Sequence, residues 1–93
     1  MKVIICGGAT GRAVIYGEVD EFPQAEMPVT IRNARMVLRW DEQCGGLLGL
    51  SQVGPKGDTR LTRTVGQVSD TARQALAVSD EAATAINAWP DYR

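Results

Sequence analysis

Residues able to do chemistry are few in this chain, and their spacing suits very little of it. There is no histidine, which removes Ser-His-Asp and Cys-His catalysis and imidazole metal ligation. Cys6 and Cys44 have no Cys or His neighbour at metal-ligand spacing, so no metal site is expected. Cys44 lies near a predicted helix start, which would favour a thiolate, but Asp41 and Glu42 beside it oppose one. A buried structural thiol is the expectation. The paired carboxylates Asp41-Glu42 and Asp80-Glu81 stand where helices should begin and complement the helix dipole there. No catalytic residue and no cofactor is expected, and an enzyme is the least favoured class.

Arginine is the exception. In V-T-I-R-N-A-R-M-V-L-R-W, Val29 and Ile31 are apolar at odd positions, whereas Met36, Leu38 and Trp40 are apolar at even ones. One extra residue near Asn33-Ala34, a β-bulge, returns both sets to one core-facing side. The same shift sends Arg32, Arg35 and Arg39 to the opposite side as a stripe. Planar guanidinium groups in a row suit carboxylate or phosphate partners, which they bind bidentately. A solvated sheet face with cross-strand partners such as Glu18 is the alternative. Trp40 ends this strand and is expected in the core, with stacking on a ligand as the other reading. Arg32, Arg35, Arg39 and Trp40 are therefore the candidate binding residues.

A second feature is glycine. Asp41 to Val53 has Cys44, Leu47, Leu48 and Ser51 at helical spacing, interrupted by Gly45, Gly46 and Gly49. Each glycine costs roughly 1 kcal/mol against alanine inside a helix. Close packing must compensate. Gly45 and Gly49 permit it either against this chain's own sheet or against the same helix in another subunit, an oligomer contact. The amino-terminal V-I-I-C-G-G-A-T-G-R resembles a dinucleotide-binding turn, but Ala13-Val14-Ile15-Tyr16 continues as a strand where that fold needs a helix.

The elements positioning these residues form one small domain over residues 1–93. Lys2 to Cys6 and Arg12 to Asp20 read as strands around a glycine loop, and Glu21 to Pro28 as a connection. Thr59 to Val68 and Arg73 to Val78 read as two more strands, separated by Ser69-Asp70-Thr71. Ser79-Asp80 caps a terminal helix with Ala82, Ala83, Ile86 and Trp89 on one face. The predicted fold is α+β: about five mostly antiparallel strands in a curled or barrel-like sheet, one short glycine-rich helix and one carboxyl-terminal helix. A net charge of −1 argues against direct nucleic-acid binding. No apolar run approaches the roughly 20 residues that span a bilayer. With two cysteines and no signal-peptide pattern, a reduced cytoplasmic protein is expected.

The segments I-Y-G-E-V, V-T-I-R-N-A-R-M-V-L-R-W and G-G-L-L-G-L-S-Q, with a weaker continuation into W-P-D-Y-R, resemble a family of small phage and prophage proteins of unknown function. Asn33-Ala34-Arg35 with Trp40, and Leu50-Ser51-Gln52, carry the likeness. The glycine-rich amino terminus and Asp41-Glu42-Gln43 depart from it. The resemblance supplies no catalytic residues and implies a phage-encoded accessory protein in the bacterial cytoplasm. The leading expectation is a protein that binds and modulates a host component, such as an inhibitor of a bacterial defence complex. Its contact surface would be the arginine stripe or the acidic loop through Glu21 and Glu26. The alternatives are a homo-oligomer sequestering a small anionic, nucleotide-like ligand, and a phage structural or assembly component.

Overall fold

β1 (Lys2–Gly7) and β2 (Ala13–Glu18) form an antiparallel hairpin with Lys2 opposite Glu18 and Gly7 opposite Ala13. The computed structural model describes residues 1–92; Arg93, which ends W-P-D-Y-R, lies outside the described residues. Both strands are apolar on two sides because both sides are covered. Val3, Ile5 and Ile15 pack inside the curl of the sheet, and Ile4, Cys6, Val14 and Tyr16 pack outside it under the helices.

β3 (Met27–Arg39) pairs with β2, and its register slips by one residue between Glu18–Arg32 and Tyr16–Arg35. Asn33 takes up the slip in the left-handed region at φ 50°, so the bulge inferred from the change of apolar parity is present. It presses on β2. A Cβ at Gly17 would overlap the Ile31 side chain and stand 2.9 Å from the Arg32 carbonyl oxygen, which restricts that position to glycine.

β4 (Arg60–Leu61) pairs with the end of β3, and β5 (Val65–Ala72) pairs with its beginning. β6 (Gln74–Ala77) pairs with β1. β5 and β6 are in effect one strand bent at Arg73, whose N–H donates to the Cys6 carbonyl at 2.8 Å. The ladder therefore runs round from β1 through β2 and β3 to the bent strand and back, a curled sheet of six strands rather than five. The strand break falls at Thr62–Thr64, and Ser69-Asp70-Thr71 stays within β5. Asp70 explains the difference: its carboxylate accepts from Gly8 N–H at 3.0 Å and Thr71 N–H at 2.7 Å, tying the strand to the β1–β2 loop instead of opening a turn. That loop is accordingly a hairpin connection with its own carboxylate partner.

Residues 41–53 are not one helix. A 3-10 turn, Glu42–Cys44, is capped by Asp41, which accepts from Gln43 N–H, and it ends at Gly45 with φ 83°. α1 (Gly46–Val53) follows. A Cβ at Gly49 would overlap the carbonyl oxygen of Cys44. Gly45 and Gly49 thus serve the junction between turn and helix inside this chain, and neither is needed to admit a second subunit. α2 (Asp80–Ala88) begins at Ser79, whose Oγ accepts from Ala82 N–H at 3.1 Å and donates to the Gln52 carbonyl at 2.6 Å. Ala83 and Ile86 are buried on the outer side of the sheet with Val37, Cys44, Leu50 and Leu61, and Ala82 is buried as well. Cys6 and Cys44 are free and buried. Among the described residues no helix is long and apolar enough to cross a membrane.

Candidate functional site

The bulge does bring Arg32, Arg35 and Arg39 to one side of β3, but that side carries the helices. Arg35, opposite the buried Tyr16, is only 2% exposed. Its guanidinium donates to the carbonyls of Thr62 at 2.7 Å, Ile86 at 2.6 Å, Trp89 at 2.8 Å and Pro90 at 3.3 Å, and to the Asp91 carboxylate at 3.0 Å. It closes the end of α2, where among the described residues the Ile86 carbonyl otherwise accepts only from the Trp89 N–H, at 3.2 Å. At the two ends of the row, Arg32 pairs with Asp20 at 3.0 Å and Arg39 with Asp58 at 3.2 Å. The expected open stripe is therefore corrected to one buried clamp between two surface ion pairs. Glu18 belongs to neither, since Asn33 donates to it at 2.6 Å and Lys2 lies 3.3 Å away.

The opposite side of β3 holds what composition alone misplaces. Met36, Leu38 and Trp40 follow Ile31 and Ala34 on the inner side, yet they are 38%, 49% and 36% exposed. β5 covers β3 only from Met27 to Ala34, and β4 beyond it has just two residues. The inner side of β3 outlasts the curl that should cover it. Two hollows result. Ile15, Ala34, Met36, Thr62, Arg63, Val65 and Val68 line an apolar recess of about 270 Å³ at the open end of the curl. Farther along, Leu38, Arg39, Trp40 and Arg60 border an open cleft of about 450 Å³. Trp40, expected in the core, is a surface residue between this cleft and a second one reaching Asp41, Glu42 and the Gly45-Gly46 pair.

Ion pairs hold the cleft's rim in place. Asp58 accepts from Arg60 at 3.1 Å as well as from Arg39, and the Arg60 guanidinium lies 4.9 Å from the centre of the Tyr92 ring. Asp41 accepts from the N–H groups of Asp58 and Gln43, both at 2.9 Å, and these bonds hold its carboxyl below the usual range. Trp89 is accounted for inside the chain: its indole N–H donates to the Thr59 carbonyl at 2.8 Å.

A further hollow, a polar one, was not signalled by the sequence. Lys2, Tyr16, Glu18, Asn33, Thr64 and Asn87 line a polar crevice of about 350 Å³. The Tyr16 hydroxyl is buried there without a well-formed hydrogen bond; burial pushes the phenol's pKa up, opposed in part by the neighbouring Asn87 side chain. Among the described residues no group of three His, Cys, Asp or Glu side chains is placed to hold a metal ion.

A family model described as a domain of unknown function, DUF6948, matches residues 1–89. The chain belongs to that family. No curated protein and no solved structure gives a significant match. Asn33, Ala34 and Arg35 work for the fold of this DUF6948 chain: Asn33 makes the bulge, Ala34 packs inside the curl, and Arg35 clamps α2. Leu50 and Ser51 are buried, and the Ser51 carbonyl accepts from Ser79 N–H at 2.9 Å, joining α1 to the start of α2. Asn33 and Gln52 are exposed, and Trp40 stands on the surface beside an open cleft.

Proposed function

We propose that this DUF6948 protein is a non-catalytic binding module: a phage-encoded accessory protein that engages a host protein in the bacterial cytoplasm and modulates it, as an inhibitor of a defence complex would. The row Met36, Leu38 and Trp40, exposed along one side of β3, carries the reading. Tryptophan, methionine and arginine are enriched where proteins meet, and a few such anchors supply most of the binding energy. Leu38 and Trp40 stand beside Arg39 and Arg60, which Asp58 fixes in place, so the surface is already ordered before a partner arrives. Sequestration of an anion by Arg32, Arg35 and Arg39 draws less support, because each already faces a carboxylate.

The test is quantitative affinity capture from bacterial lysate with the wild-type chain and with Leu38→Asp and Trp40→Ala. A stoichiometric host protein retained by the wild type and lost from both variants is the expected result. Equal retention by all three would remove the ridge from consideration.

A further inference from the structure

The apolar recess at the open end of the curl has a floor of buried Ile15 and Ala34, and Met36 and Val65 stand exposed at its rim. Its volume of about 270 Å³ lies below the roughly 300–1,000 Å³ of small-molecule sites and suits one large apolar side chain. One cation overlooks it. Arg32, Arg35, Arg39, Arg60 and Arg73 each stand beside a carboxylate. Arg63, which lines the recess and is exposed, has none within ion-pair reach among the described residues. The positive charge continues past it, since Arg39 and Arg60 border the next cleft and share the single carboxylate of Asp58. In a chain of net charge −1, this end of the sheet carries a local surplus of positive charge that complements an acidic partner.

We infer that the recess is the socket for a large apolar side chain of a partner polypeptide, and that Arg63 receives the carboxylate of an Asp or Glu close to that side chain in the partner's sequence. The inference rests on the reading of Met36, Leu38 and Trp40 as a binding ridge and adds the chemistry of what binds. A polypeptide is the occupant because the recess begins a longer surface. Met36 belongs to both recess and ridge, and the ridge runs on to Trp40, about 13 Å away at the rise of a strand. A small apolar acid fills the recess and leaves Leu38 and Trp40 uncovered. The planar fork of a guanidinium holds a carboxylate with two bonds, and Arg63 breaks no ion pair to do so. The apolar anchor then supplies affinity, and the ion pair at the rim selects the sequence.

Selection from a displayed library of random peptides tests this with the wild type and Arg63→Glu. Arg63 is exposed and lies between β4 and β5, so the variant keeps the fold, checked by circular dichroism. The wild type should enrich peptides in which a large apolar residue stands next, or next but one, to an acid, and Arg63→Glu should enrich a base at that place. For one enriched peptide, changing its acid to the amide weakens binding to the wild type about two- to fivefold, the size of an exposed ion pair, and leaves binding to Arg63→Gln unchanged. Its binding shifts the NMR signals of Ile15, Ala34, Val65 and Val68. No enrichment, enrichment indifferent to the acid, a preference that Arg63→Glu leaves unaltered, or shifts confined to other residues overturns the inference. Lysate capture reports separately on the host-binding reading: a host protein captured through the ridge while enriched peptides ignore Arg63 sinks this inference alone, and peptides that follow Arg63 with no host protein captured sink that reading alone.

Discussion

The Arg35 guanidinium donates to the Ile86 carbonyl at 2.6 Å, joining residues 51 positions apart in the buried outer face of the sheet. An arginine in mid-strand thereby finishes a helix that has no basic residue in its own last turn. The contact also fixes where Trp89 can sit, since the same nitrogen holds the Trp89 carbonyl at 2.8 Å.

Arg35→Met should cost about 3 kcal/mol or more, because it strands several carbonyls at roughly 1–3 kcal/mol for each one left buried without a donor. Asp91→Asn should cost less than about 1 kcal/mol, its carboxylate being half exposed. Urea unfolding midpoints measure both. Similar losses in the two variants would show that the ion pair, and not the carbonyl cluster, is what Arg35 contributes.

The glycines of the helical segment should respond differently to alanine. Gly46 has φ 74° and open space around its absent Cβ, so Gly46→Ala should cost about 1–2 kcal/mol from backbone strain alone. Gly49→Ala drives a methyl into the Cys44 carbonyl and should cost more than about 3 kcal/mol, within the range of severe single substitutions. Thermal melts of the two variants decide it. A Gly49→Ala protein as stable as Gly46→Ala would mean that the turn before α1 shifts freely.

Tyr16→Phe removes a buried hydroxyl that has no well-formed hydrogen bond, with the Asn87 side chain as its polar neighbour. The variant should be as stable as the wild type or more stable by about 1 kcal/mol, since the penalty of an unpaired polar group disappears. A clear loss of stability in denaturant titration would reveal an ordered water or another acceptor serving that hydroxyl.

Acid should destabilise the fold through two carboxylates in particular. Asn33 and Lys2 hold the Glu18 pKa down, and the Asp58 and Gln43 amides hold the Asp41 pKa down. With folded-state values below unfolded ones near about 4, their contribution is complete above that pH and is lost as pH falls through the folded values. Asp41→Asn should lower the melting temperature at pH 7 and flatten its decline between neutral and acid pH. An unchanged slope would show that Asp41 is not a source of the acid sensitivity.

Local rules made much of this fold readable. The parity change across Asn33 revealed the bulge, and Ser79 announced the start of α2, because both are written in neighbouring residues. What neighbouring residues leave unwritten is which side of a strand receives cover. Arg32, Arg35 and Arg39 were placed on a common side correctly, but that side lies under α2, and its central arginine met distant carbonyls instead of solvent. Met36, Leu38 and Trp40 alternate as a core strand does; their exposure follows from the shortness of β4, whose Arg60 and Leu61 read equally well as part of a longer strand. Polar Ser69-Asp70-Thr71 reads as a turn until Asp70 is seen to hold the loop after β1.

The strand bent at Arg73 belongs to two ladders at once, and that dictates an order of assembly. Val3 has Ala77 as one of its cross-strand neighbours, so a nascent chain emerging from the ribosome cannot complete the first strand's hydrogen bonds until most of its length has been made. The β1–β2 hairpin waits meanwhile as a two-stranded unit, which is marginal by itself in water. Closure depends on contacts of high sequence separation and is correspondingly slow. The curl therefore closes only once its carboxyl-terminal third is available, and substitutions at the bend should act first on the rate of folding.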